Sequence, residues 1–220
     1  MKKRNRNDIK KILDTITFPF RAILAFGRTE YRLFGLSSFS DERYDYVSKE
    51  VKGYCLDIGC GNNRFINEYL NGDGIGIDVF PHNGLDIKYV IKDLTKLPFN
   101  DSSFYTVTFI ANINHVPESL RDDELAEAYR CLIPGGNIII TNGNPIAEII
   151  VHKMGFLYYD LKCFFVNNND SDNVYSEKDD QLYLFDSEIY DRLINVGFKN
   201  ITKKYFWTQW GLNHMIIAYK

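Results

Sequence analysis

The chain has 220 residues, 45% apolar and 25% charged, with a net charge of −3 and a pI near 5.8. This suits one full-sized domain with a buried core and gives no general attraction to phosphate backbones, so DNA is not an expected partner. The cysteines Cys55, Cys60, Cys131 and Cys163 form no CxxC pair and have no histidine at zinc spacing. No metal site is expected, and reduced thiols in a cytoplasmic setting are the simplest account.

The N-terminus is basic, with Lys2, Lys3, Arg4, Arg6, Lys10 and Lys11. It reads as a solvated tail, with weak contact to RNA or to a membrane periphery as the alternative. The apolar stretch over residues 12–26 is broken by Asp14, Pro19 and Arg21, and no small-residue cleavage site follows it. Neither a transmembrane helix nor a signal peptide is read there. Residues 1–50 predict a mainly helical extension, on the cap or substrate side of a domain covering 51–220.

From Val51 the pattern changes. Short apolar runs at residues 55–58, 74–79, 89–93, 105–111 and 137–141 predict strands, and residues 64–70 and 122–132 have helical spacing. A turn at Pro134-Gly135-Gly136 closes the second of these helices. Strands that are nearly continuously apolar and alternate with helices imply a parallel sheet covered on both faces. Only nine residues separate Val79 from Tyr89, among them Pro81 and Gly84. A parallel crossover normally takes a dozen or more, so the helix after strand two is missing or reduced to a turn.

Toward the C-terminus, residues 187–196 predict a helix stopped by Gly197, and runs at 201–207 and 214–219 predict an antiparallel hairpin. Residues 145–183, aromatic-rich at first and polar later, form an insertion that either caps a cleft or completes the core. The expected fold is α/β, Rossmann-like and doubly wound: a mostly parallel seven-stranded sheet with a C-terminal antiparallel hairpin.

Asp57-Ile58-Gly59-Cys60-Gly61-Asn62-Asn63-Arg64 follows a strand and opens a helix, and a second strand ends in Asp78, 17 residues beyond Gly61. The glycines permit a tight turn and close backbone approach to a ligand, and Asp78 is placed to accept from ribose hydroxyls. A dinucleotide fingerprint would put its third glycine at Arg64. Asp57 before the turn would repel a pyrophosphate but favours the α-ammonium and sulfonium of S-adenosylmethionine, directly or through water.

These residues, with Asp93-Leu94-Thr95-Lys96-Leu97-Pro98-Phe99, His115-Val116-Pro117 and Leu132-Ile133-Pro134-Gly135-Gly136, resemble the class I S-adenosylmethionine-dependent methyltransferases, and within them the type 11 small-molecule group. The resemblance implies that Asp57, Gly59, Cys60 and Gly61 surround the methionine part and Asp78 the ribose. Val79 then packs on the adenine, Asp93 and the Leu94 N–H meet its polar edge, and Ala111 and Asn112 line the methionine side. Asn63 stands where the family has its usual third glycine, and Tyr105 where an acid is common.

Methyl transfer is an in-line displacement that needs positioning more than apparatus. His115, following the fourth predicted strand, is the candidate general base. No Asn/Asp-Pro-Pro-aromatic motif, Pro-Cys nucleophile or acidic magnesium cluster is present. The expected acceptor is a small molecule, a sugar or a lipid-linked intermediate. RNA or protein methylation and a non-catalytic cofactor-fold binding domain are the rival readings.

Overall fold

The computed structural model describes residues 8–24, 32, 34–144 and 184–220. The insertion at 145–183, including Cys163, and the basic residues at 2–6 lie outside them. Among the described residues the helices are α1 (Asp8–Leu24), α2 (Phe39–Glu50), α3 (Glu118–Cys131) and α4 (Asp186–Val196). The strands are β1 (Cys55–Ile58), β2 (Gly74–Ile77), β3 (Phe104–Ile110), β4 (Leu132–Gly143), β5 (Lys199–Tyr205) and β6 (Asn213–Tyr219). They form one sheet in the order β2-β1-β3-β4-β6-β5. The first four are parallel, and β6 runs antiparallel to both β4 and β5.

The alternation predicts seven strands, whereas the described residues contain six. The run at 89–93 is not a strand. It is a 3-10 turn, Ile87–Tyr89, followed by one parallel bridge between Asp78 and Val90. Asp86 starts that turn by accepting from the Lys88 N–H at 3.2 Å. The short link from β2 reaches the sheet only at its edge, where Asp78 N donates to Tyr89 O and Ile91 N to Asp78 O. The helix after strand two is accordingly a turn. The Pro134-Gly135-Gly136 segment lies inside β4 as an irregularity: Phe104 pairs with Leu132 but Thr106 with Asn137.

Side-chain alternation sends Leu56, Ile58, Phe109, Ile140 and Ile216 to one face, where Leu125, Ala128, Ile189 and Leu193 of α3 and α4 cover them. Cys55, Ile110, Ile139, Met215 and Ile217 face the other way, against Val47 of α2 and Phe65, Ile66 and Tyr69. Residues Phe65–Tyr69 are helical as the spacing predicts, but in a π turn. Gly197 takes φ 114 and ends α4 with the left-handed cap that a glycine adopts without a steric cost.

Pro19 sits inside α1 and has no N–H to donate to Thr15 O. Trp210 Nε1, from the loop between β5 and β6, donates to that carbonyl at 2.8 Å instead. A buried ion pair, Arg21–Glu42 at 2.7 Å, joins α1 to α2, and Thr208 donates to the same Glu42 carboxylate. Arg21 also donates to Ser37 O at 2.8 Å. A proline that weakens the helix internally thus leaves the acceptor by which it docks.

Candidate active site

The sheet extends from β1 to β2 in one direction and from β1 to β3 in the other. The carboxyl ends of β1 and β3 therefore flank a topological switch point, where open α/β sheets leave a ligand crevice. β1 runs into a turn in which Gly59, Gly61 and Asn63 have φ of 72°, 55° and 57°. A Cβ on Gly59 would lie 2.2 Å from Asn112 Cγ, and the Asn112 side chain donates to Ile58 O at 3.2 Å. A Cβ on Gly61 would meet no heavy atom within 4 Å. Gly59 is thus required by the protein's own packing, whereas Gly61 faces an opening. Asparagine tolerates the left-handed region at position 63.

Two carboxylates frame the turn. Asp78, at the end of β2, accepts from the Gly61 N–H at 2.8 Å and the Phe80 N–H at 3.0 Å. These bonds fix the turn and leave carboxylate lone pairs for ribose hydroxyls. Asp57 is buried on β1 and accepts from Thr108 Oγ1 at 2.6 Å. Burial pushes its carboxyl up to about 7, against the Thr108 hydrogen bond and with a further push from Asp78. A buried acid raised in this way is stabilised in its charged form by a cation, which is what an ammonium- and sulfonium-bearing ligand provides. The donor set therefore fits S-adenosylmethionine. Cys60 beside it is buried, and burial, Asp57 and Asp78 all push its thiol up, so it is a poor nucleophile.

The other predicted residues are more dispersed. Val79 is partly exposed beyond β2, and the Leu94 side chain is buried. Asp93 accepts from Thr95 N at 2.9 Å and Thr95 Oγ1 at 2.6 Å, capping its own turn. Nearby Glu124 of α3 has a buried Oε2 with no hydrogen-bond partner, and burial followed by the Asp93 charge pushes its carboxyl up to about 7. No sequence motif marks Glu124. Ala111 has φ 53° and donates its N–H to Thr141 Oγ1 at 2.8 Å, a strained residue at the end of β3. His115 is exposed at the end of the turn Ile113–His115. Tyr158 and Tyr159 lie outside the described residues.

Arg64, which stands in place of a third glycine, is part of a polar cluster around the buried Asp41. It pairs with Asp41 of α2, which Arg32 engages at 2.6 and 2.9 Å and Tyr69 at 2.8 Å. Burial alone would raise the Asp41 carboxyl, but these partners hold it well below the usual range. Arg64 therefore ties α2 to the helical turn that follows the glycines.

A small polar pocket opens at the carboxyl edge, lined by Ala111, Asn114, Thr141, Asn142 and Asn213, with Arg43 from α2 and Phe206. These residues come from five separate stretches of the chain, so no local pattern reveals the pocket. Among the described residues no group of three or more His, Cys, Asp or Glu could hold a metal ion.

Comparison with known proteins agrees with this geometry. Residues 56–140 match the family model described as a methyltransferase domain. A ubiquinone/menaquinone biosynthesis C-methyltransferase, UbiE, of Dinoroseobacter shibae is 34% identical over 68% of this chain and 64% of its own length. The sterol 4-C-methyltransferase strm-1 of Caenorhabditis elegans is 30% identical over 40% of this chain and 30% of its own length. The chain thus spans less than two thirds of either relative. A solved methyltransferase structure from Thermotoga maritima, described as a possible histamine N-methyltransferase, superposes with a TM-score of 0.54. It covers 96% of this chain and 98% of that one at 17% identity, which shows a shared fold. Residues 56–140, which carry the glycine turn and the crevice at the switch point, thus match a methyltransferase domain, and the fold is one shared with S-adenosylmethionine-dependent methyltransferases of known structure.

Proposed function

We propose that this protein methylates a ring carbon of a small hydroxylated, quinol-type acceptor that carries an apolar tail. The observation that carries the reading is the intact cradle of Asp57, Gly59, Gly61 and Asp78 at the switch point, on the same sheet edge as a pocket lined by Arg43, three asparagines, Thr141 and Phe206. The quinone and sterol in the names of the two curated relatives support an acceptor of this class.

S-adenosylmethionine supplies an electrophilic sulfonium methyl group. With that group bound, Asp57 would neutralise its positive charge, and Asp78 with the Gly61 turn would hold the sugar. Arg43 and the asparagines orient the acceptor's oxygens. Holding the reacting atoms in line can contribute roughly 7–11 kcal/mol. His115, beside the pocket-lining Asn114, takes the acceptor's hydroxyl proton. Transfer of the methyl group to the ring carbon would leave S-adenosylhomocysteine, the ring proton would pass to solvent, and His115 would return its proton to the acceptor's oxygen as aromaticity is restored.

Incubation of the purified chain with S-adenosylmethionine and prenylated benzoquinols, followed by mass spectrometry, tests the reading. The expected product is 14 mass units heavier, about the mass of one added methylene, the net change when methyl replaces hydrogen. His115→Ala is expected to lower turnover about 100-fold with cofactor affinity unchanged. Unchanged turnover removes His115 as the base. A chain that binds no S-adenosylmethionine by calorimetry is a binding domain, not an enzyme.

A further inference from the structure

We propose that the outer face of α1 is a docking surface for an anionic lipid bilayer, and that it sets the carboxyl edge of the sheet against the membrane. Ile9, Ile12, Leu13, Ile16 and Phe20 are 47–69% exposed. At 100° per residue these five positions fall within an arc of about 100°, a single apolar stripe. Asp14, Phe18 and Arg21 occupy the opposite side and are buried against the protein. The stripe therefore points outward because the other face is pinned by the Arg21–Glu42 pair and by the Trp210–Thr15 bond.

Charge argues for a membrane as the occupant. Residues 1–13 contain six Lys and Arg against one Asp, in a chain whose net charge is −3. An apolar stripe preceded in sequence by clustered cations is a composition suited to an in-plane interfacial helix, and cations near a bilayer favour anionic lipid. Trp207 and Trp210, both more than half exposed, lie on the loop that holds α1, and tryptophan favours the headgroup level. No described helix is long and apolar enough to cross a membrane.

Position gives the surface a use. Asn213 pairs with Gly143, so the loop before β6 lies at the carboxyl end of β4, the edge that carries the polar pocket. The docked helix would bring that pocket to the bilayer surface, where an acceptor with an apolar tail resides. This role rests on the acceptor class proposed above; the docking itself does not.

Cosedimentation of the full chain with phosphatidylglycerol/phosphatidylcholine vesicles tests the proposal, with cofactor affinity measured on the same protein. Binding is expected to weaken at least tenfold on pure phosphatidylcholine, and likewise in the Ile12→Glu/Ile16→Glu double variant. The variant's melting temperature and cofactor affinity are expected to stay unchanged. A wild-type chain that ignores anionic vesicles, or a variant that binds them equally well, overturns the proposal. So does a dimer that the double variant dissociates, which would assign the face to a second copy. Vesicle binding without cofactor binding instead leaves the docking standing and removes the methyltransferase reading.

Discussion

The proposed cofactor cradle and the proposed acceptor pocket lie on the same carboxyl edge but are built in opposite ways. The cradle is local: Asp57 to Asn63 form one turn, and a single carboxylate at the end of the neighbouring strand, Asp78, holds it. The pocket takes Arg43, Ala111, Asn114, Thr141, Asn142, Phe206 and Asn213 from across the chain. A turn that recognises a constant ligand can be specified by neighbouring residues. A pocket assembled from distant segments can change its lining one residue at a time while the sheet stays intact.

Glycine substitutions within the cradle should break this contrast most severely. Gly59→Ala imposes a left-handed alanine and drives a Cβ into Asn112. A stability loss of about 2–4 kcal/mol is expected, above the roughly 1–2 kcal/mol for left-handed strain alone. Gly61→Ala carries only the strain, but its methyl enters the opening. Thermal melts should therefore separate the two variants, while calorimetry shows loss of S-adenosylmethionine binding in both.

Asp57→Asn probes the buried charge. Cofactor affinity should fall roughly 10- to 100-fold, the loss expected for a charge-assisted contact of about 1.5–3 kcal/mol. The free protein should respond with the opposite sign. The Asp57 carboxyl stands at about 7 when folded against an ordinary 3.8, so between those values the folded state holds a proton that the unfolded state lacks. Its contribution to stability is greatest below pH 3.8 and declines as pH rises toward 7. Urea titrations across that window should lose this slope in the variant. Cofactor affinity in the wild type should increase with pH up to about 7, with proton release on binding below it.

The smallest of these effects tests the independence of the two regions. Arg43→Ala should raise the acceptor KM about tenfold, a loss of about 1.4 kcal/mol, and leave cofactor affinity unchanged. A change in cofactor affinity would mean that α2, through Asp41 and Arg64, couples pocket to cradle.

The sequence signals differ in the same way. Gly59, Gly61, Asp57 and Asp78 were legible because a tight turn demands particular residue types at fixed spacing. The missing helix after β2 followed from chain length alone. The run at 89–93 misled because β propensity at a sheet edge competes with an aspartate-capped turn, and the turn prevailed there. Arg64 read only as an absent glycine; its bond to Asp41, 23 residues away, is invisible to local pattern. Glu124 carries no motif, and only burial beside Asp93 makes it distinctive.

By itself the sequence determined the α/β class, the parallel core, the terminal hairpin and the glycine turn after β1, because these depend on periodicity and short-range steric demands. Tertiary structure alone decided that Trp210 replaces the donor Pro19 lacks, that α1 turns its apolar stripe outward, and which distant residues line the pocket. Such contacts depend on how elements meet in space, and a hydrogen bond between Thr15 and Trp210 leaves no periodic trace across a sequence separation of 195.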